Sequence, residues 1–231
     1  MSSPRVNFGL LMVNIVGWQA AFTLALFLPA GTMAWPTGWL FLTFSFVFSV
    51  LQKVWFIRHD PQLLAERMTG PWRPDRKGYD KIFVPIFLAS LMAWLAVIAL
   101  DAVRFHWSNV PVWLQVIGSV LLVTSYYGLH LTFRANSYCS SVVRIQNERG
   151  QKVISTGLYR HVRHPMYGAF VLYAFGAALM LGSWLGVFVG AVLIIAMARR
   201  SIWEERTLQQ ELPGYDEYMA KVRYRLIPGI W

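Results

Sequence analysis

Apolar runs about twenty residues long recur along this chain, and few folds can accommodate them. A hydrocarbon core roughly 30 Å thick takes about twenty helical residues to cross, and within it only helices or closed barrels satisfy the backbone. Phe8 to Leu28 is the first such run, closed by Pro29 and Gly31. Trp35 to Ile57 is the second, with Trp35, Trp39 and Trp55 where interfacial anchors belong. Ile82 to Leu100 is the third, with Pro85 tolerable in its first turn. Val110 to Phe133 is the fourth. Met166 to Ala198 is too long for one upright span and short for two, and Gly182 and Ser183 break it near the middle. That pattern predicts a hairpin with two short legs, accommodated by tilt or bilayer thinning. Gly182, Gly186 and Gly190 give the second leg a small-residue face for close packing, although glycine is common in membrane helices in any case. The expected fold is an all-α, polytopic transmembrane bundle of about six spans, the last two a short helical hairpin, with a C-terminal cytoplasmic amphipathic helix.

Composition agrees with a membrane protein. Hydrophobic residues make up 56% of the chain and charged ones 14%, against about 25% charged in soluble domains. The net charge of +10 invites a nucleic-acid reading, but the lysines and arginines sit in short links between apolar runs, where they set topology. No nucleic-acid partner is expected. With six crossings, Arg5, the Arg58–Lys81 linker, the central polar stretch and the tail share one side, and every Lys and Arg except Arg104 falls there or at its edge. That side is cytoplasmic by the positive-inside rule; five crossings would strand the basic tail opposite the other basic loops. The expected setting is a bacterial plasma (inner) membrane with both termini cytoplasmic. The first run is too long for a signal h-region, so no cleavage is expected. The single Cys139 excludes an internal disulfide. The linker holds HDPQLLAERM, read as a short interfacial helix, and PWRPDRKG, read as a loop. No soluble domain interrupts 1–231, which reads as one membrane domain whose first four helices occupy 1–133.

Two polar stretches carry the chemistry. QNERGQKVISTGLYRHVRHPMYG runs from Gln146 to Gly168, and ARRSIWEERTL from Ala198 to Leu208. Pro165 favours the first position of a helix, which leaves the amides of Met166, Tyr167 and Gly168 free to meet a carboxylate or phosphate. Arg163 and His164 add donors beside them. The same residues also serve as a plain membrane-entry motif, basic groups at the headgroups and proline starting the helix. Tyr126, Tyr127, Tyr138, Tyr159 and Tyr167 lie near one cytoplasmic level, with Trp203, Tyr215 and Tyr218 in the tail. Aromatic faces attract onium groups, and they also form ordinary interfacial belts.

Arg200 and Glu204 share a helical face one turn apart. They suit a surface ion pair or separate ligands, with Glu204 accepting from hydroxyls or an ammonium and Arg200 gripping a carboxylate. Glu205 points elsewhere and reads as solvating. His161 and His164 are spaced by three, but no carboxylate or cysteine sits nearby to complete a metal set, so none is expected. Neither familiar glycine-rich nucleotide loop occurs. In the tail, Tyr215, Tyr218 and Val222 share one helical face, with Pro228 as a stop.

The segments STGLYRHVRHPMYG and EERTL…YDEYMAKVRYRLIP, in this order around a short apolar hairpin, resemble the isoprenylcysteine carboxyl methyltransferase family and the related phospholipid N-methyltransferases. The likeness covers roughly the last ninety residues strongly and makes 134–231 the cofactor-binding core. It implies S-adenosylmethionine as cofactor, in a pocket opened by Gln146, lined by Gln151, Lys152, Val153 and Ile154, and continued by Tyr159, His164, Pro165, Met166 and Tyr167. Glu204 would be the acidic cofactor contact, and Arg200 the residue serving the methyl-accepting carboxylate. The implied substrate is a lipophilic small molecule or lipidated group entering from the bilayer among membrane lipids, with no obligate protein partner. A sulfonium methyl is already activated, so transfer to a carboxylate needs alignment and desolvation more than a strong base. An amine acceptor would need His161 or His164 to take a proton. Two other readings stay open. A sterol-reductase-like enzyme would bind a nicotinamide cofactor, with Arg144, Arg149 and Lys152 meeting the extra phosphate. A non-catalytic protein would meet anionic headgroups with its basic face.

Overall fold

The computed structural model describes residues 7–69 and 73–231; Arg5 and residues 70–72 of the basic linker lie outside it. Its α-helices are α1 (Phe8–Ala30), α2 (Pro36–His59), α3 (Pro61–Thr69), α4 (Gly78–Ala99), α5 (Val112–Ala135), α6 (Pro165–Leu181), α7 (Trp184–Glu211) and α8 (Tyr215–Lys221). Five helices are long and apolar enough to cross a membrane, and α6 is a shorter apolar one. Among the described residues the only strand-like feature is an isolated bridge between Val162 and Tyr224.

Local chemistry sets the helix ends. Asn7 caps α1 by accepting from the Leu10 amide at 3.1 Å. Gly31, at φ +69°, closes the same helix in the left-handed region that side chains disfavour. Asp60 accepts from the Leu63 amide at 2.9 Å and so starts α3 immediately after α2 ends. The short helix expected in HDPQLLAERM is therefore present. Gly182, at φ +89°, ends α6, and Ser183 caps α7 by accepting from the Gly186 amide at 2.7 Å. A single π turn, Leu100–Arg104, extends α4 and buries Asp101 against this α6–α7 corner, where the Ser183 hydroxyl and the Leu185 amide donate to it.

The shortest of the apolar helices is also the most enclosed. Ten of the 17 residues of α6 are buried. It lies along α5, where Gly118 and Gly176 let the backbones meet: a Cβ on Gly118 would stand 2.5 Å from the Met180 nitrogen. Around it the core gathers Trp94, Ile98, Leu122 and Leu193 against Ala174 and Ala177, and the Trp94 indole donates to the Gly186 carbonyl at 2.7 Å. The small-residue face of α7 is thus a packing face toward α4. The outward faces of α1, α5 and α7 are apolar, with Val13, Leu28, Val116, Val120, Phe188 and Ile195 exposed as a lipid-facing surface.

One expectation needs correcting. The hairpin has a single short leg, because α7 runs for 28 residues. At 1.5 Å per residue it is about 42 Å long, so its final turns project past a hydrocarbon core of roughly 30 Å. The apolar stretch ends near Ala198, but the helix continues through ARRSIWEERTL because its inner face finds buried partners. That projection carries Arg200, Glu204 and Glu205 to the site. The tail helix α8 is also shorter than the shared-face reading implied: Val222 is its cap rather than a member, although it packs with Leu212, Tyr215 and Tyr218 as the pattern required.

Candidate active site

A cleft opens at the basic end of the bundle. Three pieces of chain wall it. One is the link after α5, one is the entry into α6, and the third is the end of α7 with α8.

The link after α5 is irregular, and its stiffness comes from behind. Gln146 is fully buried and braces it. Its amide nitrogen donates to the Gln151 Oε1 at 2.7 Å, and its Nε2 donates to the Tyr138 carbonyl at 2.8 Å. Arg144 lies beneath, donating to Glu66 on α3 at 2.8 and 2.9 Å and to Glu148 at 2.6 Å. Burial alone would raise the Glu66 carboxyl, but the hydrogen bonds and charge of Arg144, with Arg73 and Ser140, hold it below the usual 4.5. At Val143, Lys77 donates to the carbonyl at 3.0 Å and the amide donates to Asp80 at 2.5 Å.

The entry into α6 is fixed by the tail. The amides of Arg163 and His164 donate to the carbonyls of Tyr224 and Arg225 at 2.9 and 2.8 Å. The Arg163 guanidinium donates to Glu205 at 2.6 Å and to the carbonyls of Val222 and Arg223. Glu205 is buried and also accepts from Arg225 at 2.8 Å and pairs with His164 Nε2 at 3.2 Å. Far from solvating the helix, Glu205 is the carboxylate that ties α7, the α6 entry and the tail together. Without these partners a charge at this depth would be strongly unfavourable. The amides expected to be free are mostly taken, since Tyr167 and Gly168 both donate to the His164 carbonyl. Only Met166 of the three keeps an amide without a partner among the described residues.

Nine of the expected cofactor contacts line the cleft: Gln151, Lys152, Val153, Ile154, Tyr159, His164, Met166, Tyr167 and Glu204. Gln146 stands behind the wall, and Pro165 is the first residue of α6. Arg200 also lies behind the lining. Its Nε and Nη2 donate to the two oxygens of Asp80 at 2.9 and 2.7 Å, and its Nη1 donates to the Tyr167 hydroxyl. The Tyr167 hydroxyl in turn donates to Glu204 at 2.6 Å. The direct Arg200–Glu204 ion pair is replaced by this relay.

The remaining lining was read less fully from the sequence. Asn136, Cys139, Ser140, Val142 and Val143 come from the link, and Leu208 and Leu212 from the end of α7. The polar run NSYCSS directly after an apolar span was the available signal. Of the aromatics noted at this level, Tyr138, Tyr159, Tyr167, Tyr215 and Tyr218 reach the cleft. Burial pushes the phenols of Tyr159, Tyr215 and Tyr218 well up, so they stay neutral donors and apolar faces. Glu204 is the single carboxylate on the lining, with a quarter of its side chain exposed. Of the three basic residues invoked for a nicotinamide phosphate, Arg144 is engaged with Glu66 and Glu148 and Arg149 with Ser137 and Gln146, while Lys152 lines the cleft.

At the basic end of an apolar bundle, the cleft thus gathers five tyrosines and one carboxylate, with Arg144, Lys152, Arg163 and His164 also on its lining. Residues 108–213 match the family model described as phospholipid methyltransferase. Protein-S-isoprenylcysteine O-methyltransferase B of Arabidopsis thaliana is 25% identical over 148 residues, covering 62% of this chain and 72% of that protein. A probable protein-S-isoprenylcysteine O-methyltransferase of Oryza sativa subsp. indica is 39% identical over 83 residues, 35% of this chain and 44% of that one. The Schizosaccharomyces pombe protein-S-isoprenylcysteine O-methyltransferase is 24% identical over 91 residues, 38% of this chain and 39% of its own length. The chain is thus similar, over its C-terminal half above all, to membrane methyltransferases of the phospholipid and isoprenylcysteine kinds.

Proposed function

We propose that the cleft holds S-adenosylmethionine and that the enzyme methylates the carboxylate of a lipophilic acceptor of the prenylcysteine kind named in its relatives. The observation that carries this reading is Glu204, the one carboxylate on the cleft lining, set beside tyrosine faces, which suits a ligand bearing onium groups. When bound, the cofactor supplies a methyl group already activated on a sulfonium.

The chain's own residues would align and shield that group. Glu204 accepts from the ligand's ammonium or hydroxyls, and the Met166 amide with the α6 start receives its carboxylate. Gln151, Lys152, Val153 and Ile154 line one side, stiffened by Gln146. Tyr159, His164 and Tyr167 close the other, with Pro165 setting the turn. Arg200 serves the acceptor carboxylate with the part of its guanidinium that faces Tyr167. The seam beside Arg200 supports a lipophilic acceptor. Phe83 lies 5.5 Å from that guanidinium, and Phe87, Phe170 and Trp203 continue the aromatic surface.

The proposed organisation is one membrane domain with four helices in 1–133 and the cofactor core in 134–231. The proposed setting is a bacterial plasma membrane with both termini cytoplasmic; the sidedness rests on the lysines and arginines gathered at the cleft end. A phospholipid amine is the second acceptor reading, favoured by the description of the matching family model. Purified protein in lipid nanodiscs, given methyl-labelled cofactor with total membrane lipids and an S-prenylated N-acetylcysteine, decides between them. A base-labile methyl ester supports the carboxylate reading and a labelled headgroup amine the second. No transfer to any lipid, together with binding of a reduced nicotinamide cofactor, overturns both. Calorimetry with S-adenosylhomocysteine should show binding that His164→Ala and Glu204→Ala weaken.

A further inference from the structure

Asp80 is the most deeply buried carboxylate in the chain, fully inaccessible at the first turn of α4, and none of the contacts assigned above to the cofactor or acceptor uses it. It sits 120 residues from Arg200 in sequence, yet the two form a closed pair, Oδ1 to Nε at 2.9 Å and Oδ2 to Nη2 at 2.7 Å. The same Oδ2 accepts the Val143 amide at 2.5 Å. One carboxylate therefore fixes both an arginine on α7 and the cleft wall after α5.

The pairing has a geometric consequence. A guanidinium offers a side edge, Nε with Nη2, and an end edge, Nη1 with Nη2. Asp80 occupies the side edge with both oxygens, so the plane of Arg200 cannot rotate about its stem. The end edge then points at the Tyr167 hydroxyl and, at 3.4 Å, at the Ser141 carbonyl. A planar group held by two hydrogen bonds on one edge presents the other at a defined angle, and a group held by one does not.

We propose that Asp80 is a positioning residue for methyl transfer. By holding the side edge of Arg200, it reserves the end edge, beside Tyr167, for the acceptor carboxylate. The acceptor is thereby met end-on by Nη1 and Nη2, displacing the Ser141 carbonyl from Nη2 and taking the second hydrogen of Nη1 beside the one given to Tyr167. This rests on the carboxylate-acceptor reading above and adds the residue that orients the arginine.

The test uses full-length protein in nanodiscs, methyl-labelled S-adenosylmethionine and an S-prenylated N-acetylcysteine. Asp80→Asn keeps size and can keep the Val143 bond, but it sets an NH2 group against one donor of Arg200. Its kcat/KM for the acceptor should fall at least tenfold, while its Kd for S-adenosylhomocysteine stays within threefold of wild type; a lower melting midpoint accompanies the broken buried pair. Asp80→Ala should regain activity severalfold in added formate, which can refill the space beside Arg200. If Asp80→Asn does not accumulate, Asp80→Glu decides: the charge is kept but displaced by one methylene, and kcat/KM should still fall. Wild-type kcat/KM in Asp80→Asn or Asp80→Glu overturns the proposal. So does a cofactor affinity that falls in step with activity, which would assign Asp80 to the Val143 wall alone. A wild-type protein that methylates only lipid amines would sink the acceptor reading and this proposal with it, an outcome distinct from active variants beside an active ester-forming wild type.

Discussion

The Tyr167 hydroxyl stands between Arg200 and Glu204, receiving from the guanidinium and donating to the carboxylate at 2.6 Å. Two residues that a helical wheel places in direct contact are instead joined through a third, from the neighbouring helix. Hydrogen bonds to charged groups contribute about 1.5–3 kcal/mol. Tyr167→Phe should therefore reduce kcat/KM by roughly 10- to 100-fold without unfolding the protein, as read by initial rates beside a thermal melt. Unchanged rates would mean that the relay is structural only.

Arg200→Lys separates the clamp from a simple ion pair. Lysine keeps the charge but cannot reproduce two hydrogen bonds from a planar fork. Most turnover should be lost while calorimetric affinity for S-adenosylhomocysteine stays near wild type. An ion pair alone would leave both Arg200→Lys and Glu204→Asp active.

The α5–α6 seam should tolerate no added atom. A Cβ on Gly118 meets the Met180 backbone nitrogen at 2.5 Å, and one on Gly176 meets the Leu122 nitrogen at 2.6 Å, so neither neighbour can rotate away. Gly118→Ala should cost about 1–3 kcal/mol and lower the melting midpoint in detergent. Gly17→Ala is the control: nothing lies within 4 Å of its Cβ, and its midpoint should hold or rise slightly.

Acid should loosen the link after α5. The folded Glu66 carboxyl titrates below its ordinary 4.5. The stability it contributes is therefore complete above that value and is lost as pH falls through the folded one. Glu66→Gln should flatten this part of the acid profile. It should also destabilise the neutral protein by about 3–5 kcal/mol, because it leaves Arg144 buried without its main partner. Proteolysis of residues 140–150 across pH 3–7 would show it; an acid profile unchanged by the substitution would locate the weak point elsewhere.

Much of this was legible in the chain. Apolar length placed four spans to within a few residues, and Gly182 marked the corner because its φ of +89° is one that few other residues adopt. What escaped reading has a common cause, which is pairing across distant segments. Asp80 lies at the polar start of a span with nothing nearby to mark it. Glu205 projects away from Glu204 on the helix and looked solvated, yet the tail folds over that face and brings Arg225 to it. The continuation of α7 past Ala198 was hidden by its falling hydropathy, although the turns beyond it bury Arg200, Ser201, Glu205 and Thr207. The reading of RHPMY as an anion-ready helix start was half right: the turn is present, but the His164 carbonyl claims two of its three amides.

The tail that fixes the α6 entry has a consequence for synthesis. The amides of Arg163 and His164 close on Tyr224 and Arg225, and Tyr215 and Tyr218 complete the cleft. A ribosome that has delivered every membrane helix through α7 has still not made the last wall. The cleft is thus incomplete until α8 and the segment after it have emerged and folded back, so its walls come together only after the membrane helices have been made.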